Sequence, residues 1–232
     1  MRSKMFRGAA ALALAAACLS TQAATVTLSG WAFGNGNTVT STMFRGEAGG
    51  FTGVLTGAGA FDAAPFTTYC IELTELFQFS TTPVAGYDLV GGSAYFGSTK
   101  SDTLGKLLTY VGDNPGQVDT AAESTSLQLA IWNIVYDTDF SVSTPGIFRD
   151  VSAYAAQANV LLAGAQSIGT SAYNVFALRK EGTQDFLLSS RIGSVSTTAV
   201  GDPLPEPASA ALVVLALGAL GVTRRRSAKA DA

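Results

Sequence analysis

Residues 119–137 read DTAAESTSLQLAIWNIVYD, the strongest helical signal in the chain. Thr120 and Glu123 form a T-x-x-E capping box. Leu127, Ala130, Ile131, Ile134 and Val135 then recur at i, i+3, i+4, i+7 and i+8, a wide apolar stripe. The constraint comes from what surrounds this helix. Before and after it, the apolar period drops from helical spacing to two, the signature of half-buried strands. A chain with that order is expected to be α+β, an antiparallel β-sandwich or barrel with an inserted helical segment near residues 101–165.

The strands come first. TVTLSGWAF, TVTSTMFRGEA and GFTGVLTG alternate polar and apolar residues between glycine-rich turns over residues 25–57. FTTYCIEL continues the pattern, with Phe66, Thr68, Cys70 and Glu72 on one face and Tyr69, Ile71 and Leu73 on the other. GYDLVGG reads as another short strand. SDTLGKLLTYVGDNPG is a short helix stopped by Gly112 and Pro115. DVSAYAAQANVLLAGAQ is a third helix, with Val151, Tyr154, Ala155, Ala158, Leu161 and Leu162 inward. YNVFALRKEGTQDFLLSS closes a domain spanning 24–190 as a hairpin, and 191–203 reads as a linker.

Both ends are apolar and basic. Arg2, Lys4 and Arg7 head an apolar stretch, and Thr21 and Ala23 sit where signal peptidase requires small residues. Residues 1–23 are therefore expected to be a secretory signal peptide. The rival reading, a lipidated Cys18, lacks the leucine usually found three residues ahead. At the other end, Pro205, Glu206 and Pro207 precede an apolar run over 208–222, followed by Arg224, Arg225 and Arg226. About 15 helical residues reach about 22 Å, so snorkelling arginines must help a transmembrane helix span a core of about 30 Å. The basic cluster belongs on the cytoplasmic side. The order of triplet, short helix and arginines over 204–232 resembles the PEP-CTERM sorting signal. That resemblance implies an exosortase as partner, in a Gram-negative bacterium that makes extracellular polysaccharide. It also implies passage through the inner membrane to the cell surface or matrix.

Composition excludes much. Among 232 residues there is no histidine, so Ser-His-Asp and Cys-His nucleophilic machinery is impossible. Zinc sites lose their main ligand, and no D-x-D-x-D-G run offers calcium a loop, so no metal or cofactor is expected. Net charge is -3 with only 13% charged residues, so nucleic acid is not an expected partner. Paired carboxylates stay open as a route to catalysis, although Glu72 and Glu75 read as solvated surface. The expectation is a protein that is not a turnover enzyme.

One puzzle remains. With Cys18 in the signal peptide, Cys70 is an unpaired cysteine in an exported protein. Gln128 sits beside the apolar stripe, and a buried glutamine is costly unless satisfied. The ordinary reading is an inert buried thiol and a hydrogen-bonded amide. Together, however, YCIEL and the downstream LQLAIW resemble the two signature segments of the thioester domains of bacterial surface adhesins. That family carries an aromatic-Cys-hydrophobic strand and a Gln-x-Ala-Ile-Trp helix; it often has threonine before the glutamine, where this chain has Leu127. The resemblance implies an internal thioester between Cys70 and Gln128, shielded by a pocket of Tyr69, Ile131 and Trp132. It also implies covalent capture of a lysine amine or a hydroxyl on another molecule. The alternative is a non-covalent structural or carbohydrate-binding matrix protein.

Overall fold

The structure, a computed structural model, describes residues 23–75, 79–80 and 82–193. The chain divides after Gly193 into two units, and all the described residues belong to the first. The expected signal peptide (but for Ala23), the PEP triplet, the apolar run 208–222 and the arginine cluster lie outside the described residues.

Six strands close a barrel. They are β1 (Ala24–Trp31), β4 (Phe51–Thr56), β5 (Ala63–Cys70), β6 (Val84–Gly91), β7 (Tyr173–Lys180) and β8 (Thr183–Arg191). Their order around the barrel is β1-β4-β5-β8-β7-β6, and every pairing is antiparallel. The remaining strands, β2 (Asn37–Thr40) and β3 (Arg45–Ala48), form a separate hairpin. Between β6 and β7 the chain builds α1 (Gly92–Phe96), α2 (Ser98–Asp113), α3 (Ala121–Tyr136) and α4 (Ala155–Ser167). Of the two α+β alternatives expected, sandwich or barrel, this is the barrel, with the helical insertion between β6 and β7.

Alternation explains the barrel wall. In β4, Phe51, Gly53 and Leu55 are buried while Val54 and Thr56 are exposed. Gly53 is needed for closeness: a Cβ there would lie 2.0 Å from the Thr27 carbonyl oxygen of β1. No side chain fits between strands at that approach.

The capping box on α3 forms as its spacing predicts. Thr120 accepts the Glu123 backbone N–H, and the Glu123 carboxylate accepts the Thr120 N–H. The helix is buried further round than its stripe predicts, without a break from Ser124 to Ile134. It packs against α4 on one side and touches the β2–β3 hairpin on another, so even its polar positions are enclosed.

Two expectations are corrected. Val151 is 66% exposed, because α4 begins only at Ala155. Ala155, Ala158, Leu161 and Leu162 do point inward. Strand β5 also stops at Cys70 instead of continuing to Leu73. Tyr69, Cys70, Ile71 and Leu73 are all buried, so two-face alternation ends there.

Candidate functional site

The site begins where β5 runs out of neighbours. Its pairing with β4 ends at Thr68 opposite Phe51, the first residue of β4. On the other side Cys70 faces Phe186, and the Ile71 N–H donates to the Asp185 carbonyl at 3.1 Å. The side left by β4 is filled by a side chain. The Cys70 N–H donates to Gln128 Oε1 at 2.9 Å, and Gln128 Nε2 donates to the Cys70 carbonyl at 2.7 Å. The carboxamide thus takes the place of a peptide group in a missing strand, which satisfies two buried backbone atoms and itself. Gln128 has no solvent exposure and Cys70 has 5%.

Neighbouring residues of α3 fix that amide in place. Ser124 Oγ accepts the Gly50 N–H at 2.8 Å, and Thr125 Oγ1 donates to the Ala48 carbonyl at 2.8 Å. These bonds hold the turn before β4 against the first turns of α3. Four residues beyond Gln128, Trp132 lies on the same helical face.

Cys70, Gln128 and Trp132 line one cavity of about 460 Å³. Its other aromatic walls are Trp31, Phe44, Phe51 and Phe79. Trp31 packs on Phe51 at 4.9 Å between ring centroids, and Phe44 on Trp132 at 5.4 Å. The buried Trp132 Nε1 has no hydrogen-bond acceptor among the described residues. Of the expected wall residues, Trp132 lines the cavity, while Tyr69 and Ile131 are buried in the core outside its lining. Adjacent strand residues point to opposite faces, so Tyr69 turns away where Cys70 faces in. Its hydroxyl lies 3.3 Å from Ser124 Oγ, and burial pushes its pKa up to about 12. Trp31, Phe44, Phe51 and Phe79 carry no local signal for this role, because the fold collects them from four distant segments.

The cavity has an acidic side formed by Glu47, Glu72 and Glu75. The expectation of a solvated Glu72–Glu75 pair is corrected in part: both residues are half-buried. Leu73 between them is buried and its N–H donates to the Tyr136 hydroxyl at 3.0 Å, which draws the segment inward. Burial, then the charges of Asp185 and Glu75, raise the Glu72 pKa to about 7. Burial also raises Asp185, against the opposing effect of hydrogen bonds from the Tyr95 hydroxyl and the Lys180 N–H. Oxygens of Glu72, Glu75 and Asp185 lie within 4.8 Å of one another. Glu72 and Glu75 share a hydrogen bond, and Glu75 also accepts the Gly182 N–H at 3.1 Å. Like charges this close favour a shared proton.

Burial raises the Cys70 thiol well above its ordinary range, so the free thiol is protonated and poorly nucleophilic at neutral pH. No disulfide partner exists for it among the described residues. No family model matches this chain, and neither a curated protein nor a solved structure matches it.

Proposed function

We propose that this chain is an exported surface or matrix protein whose barrel forms a Cys70–Gln128 thioester and uses it to capture a nucleophile covalently. One observation carries the reading: both polar atoms of the Gln128 carboxamide are hydrogen-bonded to the backbone of Cys70 inside an aromatic cavity. The Sγ–H adds to the side-chain carbonyl, the C–N bond breaks, and ammonia leaves with the thiol proton. As the carbonyl oxygen gains negative charge, the Cys70 N–H already donated to it stabilises that charge. Fixed proximity replaces the high concentration that this reaction would need in solution. The aromatic walls limit hydrolysis of the product by excluding water. An amine or hydroxyl then takes the Gln128 acyl group and frees the thiol. This is a single-use tether without turnover, and it requires neither histidine nor cofactor.

A second reading has its own support. Aromatic walls beside three carboxylates also suit a sugar ring, so non-covalent polysaccharide binding uses the same cavity. Intact mass separates the two. The thioester protein is one ammonia lighter than its sequence and takes up methylamine at Gln128; Cys70→Ala and Gln128→Ala each abolish both effects. Full mass with a freely alkylated Cys70 leaves only the non-covalent reading.

The tail completes the proposal: Pro205, Glu206 and Pro207 mark the chain for an exosortase, and the apolar run over 208–222 holds it in the inner membrane beforehand. Glu206→Ala is expected to leave uncleaved protein in that membrane. Unchanged processing on a membrane-fraction blot would reduce the tail to a plain anchor.

A further inference from the structure

The chain contains no histidine, so a proton moved during capture needs another carrier. Among the described residues, the cavity that holds Cys70 and Gln128 offers carboxylates at Glu47, Glu72 and Glu75. Glu72 is two residues beyond Cys70 and half-buried, beside the buried Asp185. It shares a hydrogen bond with Glu75 and lies near Asp185, with the opposing charge of Arg179 on β7. Tyr95 of α1 and Tyr136 of α3 also face this group. A second observation points to an occupant of the same space: Trp132 lines it, and its buried Nε1–H lacks an acceptor among the described residues. Buried donors are seldom left unmatched.

Resting on the thioester reading above, we propose that Glu72 is the general base of the capture step and that the nucleophile is a primary amine seated between the aromatic walls and the acidic side. The neutral amine attacks the thioester carbonyl and gives a tetrahedral adduct with a positively charged nitrogen. Glu72 takes one proton from that nitrogen. The C–S bond breaks, an amide remains on Gln128, and Sγ leaves as a thiolate that regains a proton. Burial makes this sulfur the stronger base, so that last transfer runs downhill from a glutamic acid that titrates near pH 7. A base that titrates close to the working pH is the efficient kind. The carboxylates and the aromatic faces also stabilise the positive charge that the attacking nitrogen develops in the adduct.

The test is the rate of methylamine uptake by the full chain, followed by intact mass across pH and expressed per free amine. The wild-type rate is expected to rise through an inflection near pH 7. In Glu72→Gln the ammonia-loss mass persists, the inflection vanishes, and the rate above it falls about 100-fold. Glu75→Gln removes a charge that pushes Glu72 up, so its inflection moves to lower pH. A wild-type rate and pH profile in Glu72→Gln overturns the role of Glu72 while the lighter mass keeps the thioester. A full-mass wild type overturns both. If Glu72→Gln arrives at full mass, the Glu75→Gln profile decides: a shifted inflection supports the base, and an unshifted one removes it.

Discussion

The helices α2 and α3 have the same length, sixteen residues, and opposite designs. Along α2 only Leu104, Gly105, Leu107 and Thr109 are buried, and Lys106 and Asp102 pair at 2.9 Å on the open side. Exposed pairs of that kind contribute little, so α2 is held mainly by its apolar face, with the buried Thr109 hydroxyl accepting the Ala172 N–H at 2.8 Å. In α3, polar residues are buried among apolar ones and each reaches a different element. Ser124 reaches the turn before β4, and Thr125 reaches β3. Ser126 reaches Tyr154 at the start of α4, and Gln128 reaches β5. Asn133 reaches Ser141 in the loop beyond. One helix is a cover and the other is a hub. Among the hub's contacts, only the one at Gln128 places a reactive carbonyl beside a thiol-bearing residue.

Volume-conserving substitutions sharpen this contrast most. On a Cys70→Ala background, where no covalent link can form, Gln128→Leu keeps the size but leaves two buried backbone groups of residue 70 unpaired. The expected loss is about 3 kcal/mol, from the cost of unsatisfied buried polar groups. Leu107→Met in α2 is expected to cost under about 1.5 kcal/mol. Chemical denaturation measures both. Equal costs would mean that α3, too, is held by apolar packing alone.

A smaller effect separates the acidic side of the cavity from the outer carboxylates. Glu72 and Asp185 titrate above their ordinary values, so over mildly acidic pH the folded protein binds more protons than the unfolded chain. Their contribution to stability is therefore fully present below the ordinary carboxylate range and is lost as pH rises toward about 7. Asp139 and Glu123 are lowered by hydrogen bonds, and their contribution is lost only as pH falls below the usual range. The thermal midpoint is expected to be higher at pH 5 than at pH 8, with a smaller difference in Glu72→Gln. An unchanged midpoint across that window would return Glu72 to solvated surface.

What could be read in the sequence was local. The α3 capping box needs only Thr120 and Glu123, and the β7–β8 hairpin needs only a short turn. Periodicity places Val151 on a buried face only when it is counted from before Ala155, where the helix begins. Ring closure between β1 and β6 depends on contacts far apart in the chain, as does the pairing of β5 with β8. The proximity of Cys70 and Gln128 was expected only from a motif resemblance, since no spacing rule links residues 58 positions apart. The cavity walls were hidden for the same reason. Glu72 was misjudged because its burial depends on Leu73 and Tyr136, not on its own neighbours in sequence.

The enclosure of α3 has a mechanical consequence. Once the proposed capture is complete, a pull on the attached molecule enters the protein at Gln128, midway along a helix buried on all sides. The load spreads at once into β3, the turn before β4, the start of α4 and the loop after α3, through the hydrogen bonds of Ser124, Thr125, Ser126 and Asn133. Gln128 therefore cannot be drawn out of the core without breaking those bonds as well.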